Sequence, residues 1–299
     1  MHKCINCGSK KLIKIPAFIA EFLLDRMKIS GSNKSNINKC ANCGFIFGDF
    51  RPSDIDLGIF YEDYFGEEYK NHRKKFEPEF SIEQKNRFST DQENQRKIHN
   101  LQHVLKAKNL NFSNGKVLDF GGGDGKNLNI ELFLNAEKFI FEITQEKLQQ
   151  NIKNISNQTP IETFEKFDLV ISQHCLEHVS YPNIIVNKIY NMIKKGGYFF
   201  IEVPYYGGYS SYNSKNNENF ASIFSPKRIF LSKISKKYRD NLSKRLAQKI
   251  KPFRIHEHLN HFNHPSIKYL LKQSGFVEIS TYEFPIDNGK VLCAIAKKI

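Results

Sequence analysis

Residues 116–125 read KVLDFGGGDG, and this stretch decides the fold of the chain. The run KVLDF has the apolar character of a short buried strand and carries Asp119 near its end. The glycines that follow allow a tight turn in which the backbone approaches a ligand, and a helical stretch is predicted from Lys126. A strand, a glycine turn and a helix in this order predict an α/β fold with a ligand at the turn.

A second acidic residue lies at the end of the next predicted strand. Residues 138–143 (KFIFEI) form that strand, and Glu142 comes 19 residues after Gly123. A carboxylate at this position can accept hydrogen bonds from both hydroxyls of a ribose. The loop departs from the dinucleotide pattern G-x-G-x-x-G and lacks the Lys and Ser or Thr of a P-loop. An ordinary turn at 121–125 and a solvated Glu142 are the alternative interpretations.

The cysteines form two C-x-x-C pairs near the start of the chain. Each pair is followed by a glycine, as a tight zinc-binding turn requires. The 32 residues between the pairs form a long loop, which two such turns tolerate when a hairpin joins them. Four protein ligands leave no open position on the metal, so we expect a structural zinc ion. Its predicted ligands are Cys4, Cys7, Cys40 and Cys43, while Cys175 and Cys293 lie in apolar runs and are predicted core residues.

The remaining elements continue the alternation of strands and helices. After the fifth predicted strand a long insertion precedes a helix and a final antiparallel hairpin. The predicted elements are strands at 167–172, 198–203, 277–284 and 290–298 and helices at 182–195 and 265–274. The predicted parts of the chain are a zinc-binding module and linker (1–70), a cofactor-binding core (71–205), a basic helical insertion (206–255) and a C-terminal part of the core fold (256–299).

Composition and charge exclude several classes of protein. With 299 residues, 40% of them hydrophobic, the chain is long enough for a packed core and is not a disordered or fibrous protein. No apolar run reaches the length of a membrane span, and the first residues do not read as a signal peptide, so a cytoplasmic location is expected. Of the net charge of +14, residues 215–254 carry +10. Their apolar spacing predicts an amphipathic helix, interpreted as a lid, a phosphoryl-binding site, a membrane-surface contact or a nucleic-acid contact.

Two motifs resemble one enzyme family. The loop DFGGGDG resembles the E/D-x-G-x-G loop of class I S-adenosylmethionine-dependent methyltransferases, and residues 173–179 (QHCLEHV) resemble the LEHV turn that follows their fourth strand. The resemblance implies a Rossmann-like, seven-stranded sheet with a helical insertion before the C-terminal hairpin. It also implies that S-adenosylmethionine is bound by Asp119, Gly121, Gly122, Gly123, Glu142 and Gln173.

A closer resemblance spans nearly the whole chain. The cysteine pairs, Tyr61-x-x-Tyr64-Phe65 and residues 256–262 (HEHLNHF) resemble the zinc-containing methyltransferases of sugar and surface-glycan biosynthesis, including deoxysugar C-methyltransferases. The resemblance implies a small sugar-linked or phosphorylated substrate. It also implies roles at that substrate for His178, Glu257 and His258.

The chain departs from that family at one position. Ile255 stands where the C-methyltransferases have a tyrosine before H-E-H, and this substitution favours O-methylation. A hydroxyl acceptor needs a base that is neutral near pH 7. His258 is the first candidate, with adjacent Glu257 able to orient it or its surroundings, and His178 is the second.

Other interpretations of the histidines and of the function stay open at this point. The histidines between 256 and 264 could form a polar loop or a second metal site. An RNA or tRNA methyltransferase and a non-catalytic binding module of the same fold are the rival functions. Concentration of charge in one segment and the lack of a basic-aromatic motif count against a nucleic-acid substrate.

Overall fold

The computed structural model describes residues 1–64, 66–78, 91–143, 148–155, 166–206, 253–286 and 289–299. The predicted helix of the basic insertion lies outside these ranges, as does Phe65. Within them, no helix is both long and apolar enough to cross a membrane.

A seven-stranded sheet forms the centre of the molecule and confirms the predicted α/β fold. Its order is that of the strands listed here from one edge to the other, and the last five run parallel. The second strand is antiparallel to both of its neighbours, so the chain closes the sheet with the predicted hairpin. The strands are β11 (Val277–Ile286), β12 (Gly289–Lys297), β8 (Ile193–Pro204), β7 (Phe167–Gln173), β4 (Lys116–Phe120), β5 (Glu137–Phe141) and β6 (Ile152–Ile155).

Apolar side chains cover both faces of this sheet. Alternate residues of β4 point to opposite faces, with Val117 in one core cluster and Leu118 in the other. The first face packs against helix α4 (Asp91–Ala107), and the second packs against α5 (Pro182–Met192) and α6 (His264–Gln273). This three-layer packing leaves the carboxyl ends of the parallel strands for a ligand site.

The prediction of a helix after the glycine turn is wrong. Two 3₁₀ turns, Lys126–Leu128 and Glu131–Phe133, connect β4 to β5 instead. The connection consists of residues 121–136. Asn127 and Asn129 favour turns over helix interiors. Contacts to a ligand at this turn therefore come from individual N–H groups and not from the end of a long helix.

A second, five-stranded sheet joins the two ends of the chain. Three N-terminal strands are completed by two short strands on either side of the H-E-H sequence, so the pairings cross the boundaries predicted at 70/71 and 255/256. In sheet order the strands are β10 (Asn260–His261), β3 (Ile46–Gly48), β2 (Lys34–Cys40), β1 (Leu12–Ile19) and β9 (Phe253–Ile255).

Three short helices lie beside this second sheet. They are α1 (Glu21–Arg26), α2 (Asp54–Tyr61) and α3 (Glu67–Phe76), and they share an aromatic core. Phe22 packs edge-on against Phe60 and Tyr69, with ring centroids 5.7 and 5.4 Å apart. The helices thereby fix the side chains that surround Glu257.

Candidate functional site

The glycine turn after β4 has the backbone shape that the sequence predicts. Gly121, Gly123 and Gly125 have φ values of 75°, 58° and 85°, in the left-handed region that favours glycine. A side chain at Gly121 would overlap Sγ of Cys175, 2.9 Å from the ideal Cβ position. A side chain at Gly122 would overlap the Asp119 carboxyl group. The turn therefore needs glycine for its conformation and for its packing.

Glu142 closes this turn against the end of β5. One carboxylate oxygen accepts a hydrogen bond from the Gly123 N–H at 3.0 Å, and the other accepts one from the Ile143 N–H at 2.7 Å. The predicted ribose-binding carboxylate therefore lies directly against the glycine turn.

Asp119 is fully buried beside the turn. Neither of its oxygens has a hydrogen-bond partner among the residues that the structure describes. Burial raises the pKa of this carboxyl group to about 7, the Lys97 charge opposes the rise, and the Glu142 charge adds to it. An unpartnered buried carboxyl group is costly, so Asp119 is suited to receive a hydrogen-bond donor or a positive charge from a ligand.

Gln173 lies at the carboxyl end of β7, but its side chain turns towards α4. Its amide donates to the Lys97 carbonyl at 3.1 Å and approaches a Glu202 oxygen at 3.5 Å. Its own Oε1 has no partner within the described ranges. The side chain therefore helps to anchor α4, and its free oxygen is the part that remains for a ligand.

His178 and His258 meet next to the glycine turn. Their rings are perpendicular, with centroids 4.8 Å apart. Nδ1 of His178 donates to the Glu257 carbonyl at 3.1 Å, because a carbonyl can only accept. Nδ1 of His258 lies 2.7 Å from the Tyr206 hydroxyl. Burial lowers the pKa of His258 well below its usual value, and His178 lowers it further, so His258 is neutral.

The other histidines of the 256–264 segment have separate partners. His256 lies 2.8 Å from Glu77, and His264 lies 2.7 Å from Glu283 on the C-terminal hairpin. Only His258 of this segment makes a ring contact with His178 within the described ranges. The segment is therefore not one cluster, and a single histidine from it reaches the site.

Glu257 does not orient His258 with its carboxylate. That carboxylate pairs with Arg73, at 2.6 Å, and accepts hydrogen bonds from the hydroxyls of Tyr64 and Tyr69. Glu257 acts on the site through its main-chain carbonyl, which holds His178.

Two residues that sequence reasoning missed complete this part of the site. Glu177 is fully buried, with Oε1 3.8 Å from Nε2 of His178. Tyr206 supplies His258 with a phenol, so the lack of a tyrosine at 255 does not leave the histidines without one. The LEHV motif contained the signal for Glu177. Tyr206 has no local signal, because its contact depends on a loop 52 residues away.

The four N-terminal cysteines come together as predicted. Sγ of Cys4 lies 3.7 Å from Sγ of Cys43, Cys7 and Cys40 are 3.4 Å apart, and all four sulfurs lie within 4.8 Å of one another. A tetrahedral zinc ion with Zn–S bonds of about 2.3 Å needs sulfurs about 3.8 Å apart. The sulfur positions therefore fit this ion closely.

Both cysteine turns have the predicted glycine geometry. Gly8 and Gly44 have φ values of 71° and 73°. The Gly8 N–H donates to the Cys4 carbonyl at 2.8 Å, and the Gly44 N–H donates to the Cys40 carbonyl at 3.0 Å. Each C-x-x-C-G unit is thus a closed turn that directs its sulfurs to one point.

Sequence comparison identifies one family. The methyltransferase-domain family matches residues 89–281, which is more than half of the chain. A search of curated proteins finds no match.

Solved structures with a similar fold include three methyltransferases. The 1,6-didemethyltoxoflavin N1-methyltransferase of Burkholderia thailandensis is 12% identical, covers 88% of this chain and 95% of its own, and has a TM-score of 0.48. Magnesium protoporphyrin IX methyltransferase from Synechocystis is 14% identical, with coverages of 69% and 83% and a TM-score of 0.44. Phosphoethanolamine N-methyltransferase 2 of Haemonchus contortus is 13% identical, with coverages of 67% and 52% and a TM-score of 0.42. At these identities and scores, the likenesses say nothing about the substrate of this chain.

We expect Asp119→Asn to stabilise the ligand-free protein at about pH 8. The pKa of the Asp119 carboxyl group is about 7 in the folded protein, against a reference value of 3.8. The folded protein therefore loses stability as the pH rises between those two values. The asparagine lacks this titration, so the variant should gain stability over the wild type by a few kcal/mol at pH 8 and show no such gain near pH 4. Urea unfolding at both pH values measures the difference. A gain that is the same at both would contradict the buried, unpartnered carboxyl group.

Proposed function

The chain belongs to the methyltransferase-domain family, and on this premise we propose that it methylates a hydroxyl group of a small precursor of a cell-surface glycan. It is an S-adenosylmethionine-dependent methyltransferase. The observation that carries the proposal is the neutral His258 next to His178, because a hydroxyl must give up its proton as it gains a methyl group.

The cofactor site lies at the glycine turn. S-adenosylmethionine supplies a methyl group on a positively charged sulfonium and also carries an ammonium group. The carboxyl groups of Asp119 and Glu142 offer negative charge at the turn, and Asp119 has no partner of its own in the described ranges. The glycines allow close approach of the ligand to the backbone. The proposed cofactor-binding residues are Asp119, Gly121, Gly122, Gly123, Glu142 and Gln173.

The acceptor side of the site adjoins this turn through Cys175. Gly121 packs against the Cys175 sulfur, and the Cys175 carbonyl accepts a hydrogen bond from the His178 N–H at 3.0 Å. His258 is the proposed base, with Tyr206 fixing its ring, and His178 is the second candidate. Glu257 contributes its carbonyl to His178 and its carboxylate to the Arg73 ion pair. Positioning the acceptor next to the methyl donor supplies most of what this reaction needs.

The substrate class rests on the family resemblance and on charge. The zinc-containing glycan methyltransferases share the C-x-x-C-G pairs, the LEHV turn and the H-E-H sequence with this chain. The net charge of +10 in residues 215–254 favours an anionic substrate such as a nucleotide-linked or phosphorylated sugar. The net charge of +14 and the cysteine cluster make an RNA substrate the second candidate, and the concentration of that charge in one segment counts against it.

The direct test is incubation of the protein with isotopically labelled S-adenosylmethionine and separate panels of nucleotide sugars, phosphorylated heptoses and tRNA. We expect label on an oxygen of a sugar-type acceptor, identified by mass spectrometry and NMR. Label on a carbon would show C-methylation, which the phenol of Tyr206 also permits. Label only on tRNA would overturn the proposed substrate class, and protein that binds no cofactor would point to a binding module.

Gly123→Val should abolish cofactor binding, because a side chain there enters the space at the turn. Gly196→Val is the matched control, since Gly196 also has a left-handed φ, 82°, and has no atom within 4 Å of its Cβ position. Both variants carry the same backbone strain, but only the first alters the site. Isothermal titration calorimetry with S-adenosylmethionine compares them. Unchanged affinity in a folded Gly123→Val protein would remove the glycine turn from the cofactor site.

We also propose that the cysteine cluster binds one structural zinc ion. Asn6 and Asn42 each direct a side-chain N–H at a sulfur, at 3.6 Å from Cys43 and Cys7 respectively. Such outer contacts are usual around thiolate ligands. With four protein ligands, the ion would hold the N-terminal sheet together and have no position for substrate.

Elemental analysis should find one zinc ion per chain, lost in Cys43→Ser and retained in the control Cys175→Ser. Chelation should increase hydrogen exchange in β2 and β3 before it affects β4 and β7, because the sulfurs close the turns next to the N-terminal strands. Wild-type protein purified without chelators that contains no zinc would disprove the assignment.

His258→Ala should lower turnover by about 100- to 10,000-fold while cofactor affinity is retained, because the variant loses only the proton acceptor. His178→Ala should have the second-largest effect. His264→Ala is the control, since this histidine pairs with Glu283 away from the site. Steady-state kinetics and calorimetry measure the two properties. Near-normal turnover in both site variants would make the histidines structural and leave positioning alone to explain catalysis.

A further inference from the structure

Glu177 is the most deeply buried charged group next to the two histidines. Its side chain has no solvent exposure, and neither oxygen makes a hydrogen bond to the residues that the structure describes. Its main-chain carbonyl accepts from the N–H groups of Leu259 and Asn260, at 2.8 and 3.0 Å. These two bonds fix the main chain at residue 177, whereas no hydrogen bond to the described residues holds the carboxylate oxygens. A buried charge in this setting needs a positive partner.

The tautomer of His178 determines which ring atom faces this carboxylate. Nδ1 of His178 donates to the Glu257 carbonyl and so carries a proton. In the neutral ring Nε2 then has a lone pair, and Nε2 is the atom 3.8 Å from Oε1 of Glu177. A lone pair opposite a carboxylate is unfavourable, whereas an N–H there forms an ion pair. A proton that reaches Nε2 therefore forms an ion pair with this carboxylate.

A neighbouring histidine shows the same principle. His174 lies between two buried carboxylates, 3.3 Å from Glu177 and 3.1 Å from Glu202. Burial alone would lower the pKa of His174, but these two carboxylates raise it above its usual value. Arg96 also pairs with Glu202, at 2.8 Å, through the carboxylate oxygen that His174 contacts. Glu177 is therefore the carboxylate shared by the His174 and His178 rings.

We propose that Glu177 is a positioning residue that stabilises the imidazolium formed when the His178–His258 pair takes the proton of the acceptor hydroxyl. This inference rests on the proposed function. A lone pair of the acceptor oxygen would form the bond to the methyl carbon as the carbon–sulfur bond of the sulfonium breaks and leaves its electron pair on sulfur. The O–H electron pair would stay on oxygen, and the proton would pass to an imidazole nitrogen. The positive charge that began on the sulfonium thus ends on an imidazolium close to Glu177, where the low dielectric strengthens the attraction.

Other charged or titratable groups also act on Glu177 and its histidines. Tyr61 of α2 packs edge-on against the His178 ring, with centroids 5.9 Å apart. The groups that face this cluster are His174, Cys175, Glu202, Tyr61, Glu257, Tyr206 and His261.

The test compares Glu177→Gln with Glu202→Gln, a second buried carboxylate that contacts His174 and lies outside the His178–His258 pair. In Glu177→Gln we expect turnover to fall by about 100- to 10,000-fold at unchanged cofactor affinity. The acidic limb of the pH–rate profile should move to lower pH, because the imidazolium loses its carboxylate partner. Glu202→Gln should leave the acidic limb in place. Glu177→Asp, which keeps the charge, should restore part of the rate and leave the acidic limb close to its wild-type position.

Three outcomes separate this inference from the proposed function. An unchanged acidic limb in folded Glu177→Gln overturns the inference, and if that variant does not fold, full wild-type turnover in Glu177→Asp does so, because the shorter side chain draws the carboxylate away from Nε2 of His178. A second zinc ion per chain that is lost in the Glu177 variant and kept in Cys43→Ser also overturns it, because the cluster would then be a metal site. A shifted acidic limb in the turnover of an acceptor of another class, such as tRNA, supports the electrostatic role of Glu177 and refutes the proposed function instead.

Discussion

The buried side chain of Asn260 holds together the two loops on which the site depends. Its amide donates to the carbonyls of Leu176 and Val179, at 3.0 and 2.6 Å, and its oxygen accepts from the Arg51 guanidinium at 2.7 Å. Arg51 also donates to the carbonyls of Gly48 and Ser180, which ties the N-terminal sheet to the same turn. Because these partners are main-chain atoms, the loops are fixed in register. His178 and His258 meet as a consequence.

The N-terminal sheet therefore belongs to the part of the site that carries His178 and His258, the proposed acceptor side. Its strands β9 and β10 flank the loop that carries His258, and the Asn263 amide donates to the Gly44 carbonyl at 3.0 Å, next to the cysteine turn. A metal that stiffens the cysteine turns would stiffen this loop through the sheet. The proposed cofactor-binding turn is positioned instead by the central sheet, because Gly121 directly follows β4 and Glu142 directly follows β5.

Two groups of acidic residues divide the electrostatics of the site. Asp119 and Glu142 place carboxyl groups at the glycine turn, the proposed binding site of a cationic ligand. Glu177 places a third carboxylate next to His178, one of the two proposed proton acceptors. Cys175 lies between the two groups, with its thiol on Gly121 and its carbonyl on His178. Burial and neighbouring carboxylates raise the pKa of that thiol, so Cys175 separates the two groups as a neutral side chain.

Local patterns in the sequence determined six of the seven strands of the central sheet, all but β6, and also the glycine turn and the paired cysteine turns. Each depends on residues a few positions apart: the alternation that buries β4, the left-handed glycines at 121 and 123, and the C-x-x-C-G spacing. The tertiary structure alone decided that Arg73 pairs with Glu257, 184 residues away, and that Tyr206 reaches His258. Only the tertiary structure showed that two 3₁₀ turns follow the glycine turn where a helix was predicted. Such contacts depend on which loops pack together, and a local pattern contains no information about a partner so distant in the chain.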